Sequence, residues 1–153
     1  QEALKSGLEI VFSTGAAFAS EVNERILQIV GSPGNHVVLH CISEYPISDF
    51  SHLNLANISQ LSNLGQLRVG FSDHSVGVVA PALGVAAGAT VIEKHFTIDN
   101  SLDGPDHSFS ANPRVFREMV ALCQDAHAAV GTARERPYDY ELPVTELKSY
   151  ADK

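Results

Sequence analysis

Four short runs rich in β-branched and aromatic residues, each followed by a segment with helical character, limit what this chain can become. The runs are 8–12 (LEIVF), 36–40 (HVVLH), 67–71 (LRVGF) and 90–96 (TVIEKHF). Each has the length and composition of a buried strand. Between and after them lie 17–30, with Ser20 as a candidate N-cap, 53–64, with leucines and Ile58 at helical spacing, 76–87, small and apolar, and 112–130. The last carries the fullest set of helix signals: Asn112 to cap it, Pro113 in its first position and Gly131 past its end.

Strand–helix alternation repeated four times is the pattern of a parallel sheet. Right-handed crossovers then gather the carboxyl ends of all strands on one edge. An open doubly wound sheet and part of a (β/α)8 barrel both fit. A repeat of roughly 30 residues needs about 250 for eight units, and 153 residues supply four. The expected fold is α/β, four βα units over 1–131, which fit half of a TIM barrel and equally an open doubly wound sheet. Its two bare strand edges would invite completion or self-association. Residues 132–153 are polar, with two prolines and three tyrosines, and read as a linker or tail with one short helix over 144–150. Without an initiator Met, the sequence is expected to belong to a longer chain.

Composition narrows the partners. Ten Lys+Arg against eighteen Asp+Glu give a net charge of −8, which argues against nucleic acid or an anionic membrane. The longest apolar stretch, 76–92, holds three glycines and a proline and falls short of the ~20 unbroken residues of a span. No apolar stretch follows residues 1–5, so no signal peptide is expected. Cys41 and Cys123 sit inside apolar runs and suggest no disulfide framework; a reducing, cytoplasmic setting is expected.

The expected carboxyl ends of the strands are polar: Ser13-Thr14-Gly15, then 40–46 (HCISEYP), then 72–75 (SDHS), then 93–95 (EKH) and a loop, 103–107 (DGPDH). The opposite ends are bland. Reactive groups of parallel α/β folds gather beyond the carboxyl ends. His74 and His95 end neighbouring strands, where two imidazoles can share a divalent ion or serve as hydrogen-bonded structural residues. Asp73, Glu93 and Asp106 are further candidate ligands or partners that fix the imidazole tautomers. Strand parity puts Glu93 with His95 and Ser72 with His74, and separates Lys94 and Asp73. Lys94 is expected in a salt bridge under the helix layer, with a functional cation as the alternative. Ser13-Thr14-Gly15 is either an anion-binding turn or a plain cap. Cys41 reads as packing, and His36, His52 and His127 as solvent-facing or packing residues. No nucleophile elbow, dinucleotide fingerprint or P-loop is present.

As a set, FSTG (12–15), LHCISEYP (39–46), VGFSDHSVG (69–77), GATVIEKHFT (88–97) and GPDHSFSANP (104–113) resemble the sialic acid synthase family, which includes N-acetylneuraminate, legionaminate and pseudaminate synthases. The resemblance implies the second half of a (β/α)8 barrel that condenses phosphoenolpyruvate with an N-acylated sugar aldehyde and releases phosphate. It implies His74 and His95 as ligands of manganese or magnesium. Ser13, Ser43 and Ser72 would meet phosphoenolpyruvate, and Tyr45 and Asp106 the amino sugar. Glu93 and Asp73 are the catalytic candidates. Ser43 stands where some members have Asn, and Ile42 where many have Thr. Typical members also bring phosphate-binding lysines from the first half-barrel and an arginine from a C-terminal antifreeze-like domain of the partner subunit. Neither has a match here, so a homo-oligomer or completion by another half-barrel is implied. A different metal-dependent barrel aldolase, or a non-catalytic half-barrel binding module, is the competing reading.

Overall fold

A computed structural model describes residues 2–30, 35–64, 67–132 and 138–141. A one-turn helix α1 (Glu2–Lys5) precedes β1 (Val11–Ser13), α2 (Ala19–Val30), β2 (Val37–Cys41), a 3₁₀ turn (Phe50–Leu53), α3 (Ala56–Asn63), β3 (Arg68–Asp73), α4 (Val79–Ala86), β4 (Val91–Lys94) and α5 (Pro113–Val130), with a last 3₁₀ turn at Asp139–Glu141. The strands form one parallel sheet in the order β1-β2-β3-β4. A doubly wound sheet reverses its strand order at a switch point; this one advances in a single direction. Successive right-handed crossovers then lay every helix on one face and leave the other as the wall of a barrel. The fold is four βα units of a (β/α)8 barrel.

Alternation along the strands divides the side chains between those faces. Val38, Val69 and Phe71 point to the helix side and pack with Ile26 of α2, Ile58 and Leu61 of α3, and Ala80 of α4. Phe71, fully buried, lies so close to α4 that a Cβ on Gly84 would stand 2.7 Å from its Cδ1. Behind the sheet, His40 stacks on Phe71 with ring centroids 5.9 Å apart and reaches the Leu53 carbonyl at 2.7 Å. His36 is buried too, its Nδ1 accepting the Ile10 N–H at 3.0 Å. Both imidazoles are packing residues.

The elements depart from expectation in particular places. The helix expected over 53–64 is split. Asp49 accepts the Ser51 N–H and starts the 3₁₀ turn, Asn54 adopts φ 46°, and α3 begins only at Ala56. Ser20 lies inside α2 rather than capping it; Glu21 reaches back to accept the Phe18 N–H at 2.8 Å. β4 ends at Lys94, and Phe96 continues as a single bridge to Ala111. α5 has the expected cap: Asn112 accepts from Arg114 N and Val115 N. The expected helix over 144–150 lies outside the described residues. Among the described residues both cysteines are free, and no helix is long and apolar enough to cross a membrane.

Candidate functional site

The register between β3 and β4 builds the site. Ser72 pairs with Glu93 and Asp73 with Lys94, so His74 and His95 each follow one residue after the last paired position. Their rings meet edge to face with centroids 5.3 Å apart. His74 is buried, and its Nδ1 lies 2.7 Å from the Ile42 carbonyl. A carbonyl only accepts, so Nδ1 carries a proton, and Nε2 is the nitrogen left to face the rim. Tyr45 lies against His74 at 4.2 Å and His95 at 5.8 Å between centroids. Phe109 backs His95 at 5.2 Å. Asp106 Oδ2 stands 3.6 Å from His95 Nδ1, a distance for charge attraction rather than a hydrogen bond.

A floor of small polar groups continues along the same face. The Ser72 hydroxyl donates to Glu93 Oε1 at 2.6 Å and sits 3.5 Å from His74 Nε2. Cys41, opposite Ser72 in the β2–β3 register, turns its thiol into this floor, beside Gly15 and the Ser43 hydroxyl. Burial pushes the Cys41 thiol pKa up; the polar groups of Ser72, Gly15 and Ser43 oppose the rise, and the nearby Glu93 charge adds to it. Gly15 is required there: a Cβ would lie 2.5 Å from Ser43 Oγ and 3.0 Å from Cys41 Sγ. Thr14 stitches the β1 loop to β2, donating from its hydroxyl to the Leu39 carbonyl and accepting the Cys41 N–H. Ser13 ends β1 on the same face, exposed.

The structure thus brings His74, His95, Tyr45, Asp106, Glu93, Ser72 and Ser43 to one side of the sheet. Asp73 does not join them, and its expected catalytic place is corrected by parity. Its side chain is wholly buried on the helix side and paired with Lys94, and it touches neither imidazole. The Lys94 salt bridge is where the sequence placed it. Among the residues not foreseen as part of the site are Cys41, Phe109 and the Ile42 carbonyl. Strand parity was a usable signal for Cys41, since it shares the inner face with Ser72; the other two depend on loop conformation.

Cavities of about 260 Å³ between α2 and α3 and about 520 Å³ between β4, α4 and α5 contain neither His74 nor His95. They lie on the helix side, whereas the imidazoles stand on an open wall. His52 is a surface residue paired with Glu44 at 2.8 Å, which raises its pKa. His107 accepts or donates at Thr97 Oγ1, 2.8 Å away, within the loop after β4.

Sequential parallel strands with two imidazoles, hydroxyls and a carboxylate at their carboxyl ends define a class: a barrel segment with a polar site on its rim. Residues 1–135 match the model of the NeuB family, and the chain belongs to that family. It is 40% identical over 152 residues to an N,N'-diacetyllegionaminic acid synthase of Legionella pneumophila, covering 96% of this chain and 42% of that protein. It is 37% identical to the spore coat polysaccharide biosynthesis protein SpsE of Bacillus subtilis, covering 92% of this chain and 38% of that one. Among solved structures, the N-acetylneuraminic acid (sialic acid) synthetase of Leptospira borgpetersenii superposes with a TM-score of 0.88 at 33% identity, over 96% of this chain and 51% of that chain. The chain therefore spans about half the length, or less, of these relatives.

Proposed function

We propose that this chain forms the His-bearing half of a sialic-acid-type synthase barrel that condenses phosphoenolpyruvate with an N-acylated amino-sugar aldehyde and releases phosphate. The observation that carries this reading is the His74–His95 pair, held with Tyr45 at the carboxyl rim of a NeuB-family chain. Relatives named as legionaminic, pseudaminic and N-acetylneuraminate-type synthases support the reaction class.

The donor set suits a divalent cation. The Ile42 carbonyl holds the Nδ1 proton of His74, leaving Nε2 free for a metal, the arrangement that orients ligating imidazoles generally. Among the described residues no group of three or more His, Cys, Asp or Glu side chains is arranged to hold a metal ion, so His74 and His95 would be the side chains that hold it. Manganese tolerates mixed nitrogen and oxygen ligands better than magnesium. When bound, the ion supplies Lewis-acid polarisation of the sugar carbonyl.

The chain's own residues do the remaining work. Phe109 backs His95 from the buried side, and Tyr45, exposed beside both imidazoles, offers an aromatic face to a sugar ring. The hydroxyls of Ser13, Ser43 and Ser72 face the enol phosphate, and Asp106 accepts from the sugar. In the reaction a bond forms between the phosphoenolpyruvate methylene carbon and the aldehyde carbon. The aldehyde oxygen takes up a proton as it becomes a hydroxyl, water adds to the oxocarbenium carbon C2, and the C2–O bond to phosphate then breaks. In this reading Glu93, hydrogen-bonded to Ser72 on the same face, takes the proton from that water. Lys94 is committed to Asp73 and does not serve the phosphate in this reading.

The test is phosphate release from phosphoenolpyruvate and N-acetylmannosamine, or a related diamino sugar, by the protein expressed from its full reading frame. Aldehyde-dependent release with a nine-carbon 2-keto acid product is expected. Turnover of the same sugars with pyruvate, and none with phosphoenolpyruvate, would establish an ordinary barrel aldolase instead.

A further inference from the structure

The group behind the two imidazoles suggests how they are aimed. Asp73 and Lys94 are direct cross-strand partners at the last paired position of β3 and β4. Their side chains meet on the helix side, 0% and 2% exposed. The Lys94 ammonium also donates to the Ser75 carbonyl at 2.6 Å, while Asp73 Oδ1 accepts the Ser75 N–H at 2.9 Å. Lys94 therefore holds the Asp73 side chain on one side of His74 and the Ser75 carbonyl on the other, from the residue immediately before His95. Beyond this point the β3–β4 ladder has ended: the His74 carbonyl accepts from Ile47 N–H and the His95 carbonyl from Ala111 N–H, so each histidine is tied to a different segment and β3–β4 pairing no longer sets their spacing.

We infer that the Asp73–Lys94 pair is a positioning clamp that fixes His74 against His95 from behind the sheet. This inference rests on the reading of those imidazoles as a ligand pair. A buried ion pair is seldom retained for stability, since apolar replacements of similar volume are often equal or better. What this pair adds is orientation: two charges, one backbone carbonyl and one backbone N–H close a loop around a single histidine. The neighbouring Ser72–Glu93 bond makes the matching link on the inner face, so the rim is tied on both faces just before the imidazoles begin.

The test uses the full-length protein carrying Asp73→Asn with Lys94→Met. Asparagine keeps an acceptor for the Ser75 N–H, no charge is left unpaired, and only the Lys94 tie is cut. Asp73→Leu with Lys94→Met is the second variant, for use if the first does not fold. The clamp predicts a melting temperature close to the parent's, with the Mn²⁺ dissociation constant raised about ten- to a hundredfold, as when the partners orienting metal ligands are lost. It also predicts, in metal-free protein, a shifted or broadened Nδ1–H proton resonance of His74. A folded variant with parental Mn²⁺ affinity and an unmoved resonance overturns the clamp. A parent protein whose Mn²⁺ binding ignores His74→Ala and His95→Ala defeats the metal reading alone, and the metal-free resonance then decides the clamp by itself.

Discussion

Gly15 carries more of the site than its size suggests. It lets the β1 loop lie against Ser43 and Cys41, where any Cβ would collide at 2.5 Å and 3.0 Å. Gly15→Ala is expected to push that loop off the floor and weaken phosphoenolpyruvate binding, raising KM about tenfold, the equivalent of one lost hydrogen bond, with a smaller change in kcat. Steady-state kinetics on the full-length enzyme read this out; an unchanged KM would mean the loop does not meet the substrate. Cys41 gives a second test at this scale. A raised pKa means less thiolate at neutral pH, and thiolate is the reactive form. Iodoacetamide at pH 7.5 should therefore modify Cys41 more slowly than a free thiol, and labelling should quicken as pH rises. Rapid stoichiometric labelling, followed by mass spectrometry, contradicts that environment. Much of the rim was legible from alternation: Ser72 with His74, Glu93 with His95, Lys94 behind. The same alternation separated Asp73 from the histidines, and the structure follows it. The contacts to Ile42 and Phe109 were not legible, because they depend on how two loops fold over the strand ends.

Elements with strong local signals appear where the sequence puts them, and those governed by loops shift. Pro113, Asn112 and Gly131 set both ends of α5. Nothing comparable marked α3, whose start moved because Asp49 captured Ser51 and Asn54 turned left-handed. Asn112→Ala removes a side-chain acceptor from two N–H groups at the start of α5 and should cost about 1 kcal/mol. Gly84→Ala drives a methyl to 2.7 Å from Phe71; overpacking of this kind costs about 1–3 kcal/mol. Denaturant titration of both variants should place Gly84→Ala at or above Asn112→Ala. No loss of stability at Gly84 would show that α4 rides more loosely on β3 than the structure places it.

At the scale of the whole molecule, four units in sequential parallel order form an open wall. Val11 on the β1 edge is half exposed, and Phe18 and Leu27 beside it are about three-quarters exposed. A polypeptide limited to these 153 residues should associate through its strand edges and show no phosphate release; a stable monomer in sedimentation velocity would count against a half-barrel that needs completion. Repeat length allowed a half barrel but did not choose it, because doubly wound and barrel sheets share the same alternation; the family resemblance favoured the barrel, and the sequential strand order distinguishes the two. What the molecule does turns on whether two imidazoles on this wall hold one cation. The most direct measurement is Mn²⁺ titration, followed by electron paramagnetic resonance, of the full-length protein and its His74→Ala and His95→Ala variants. One tight Mn²⁺ per chain in the parent and none in either variant is the predicted result; tight binding that survives either substitution contradicts it.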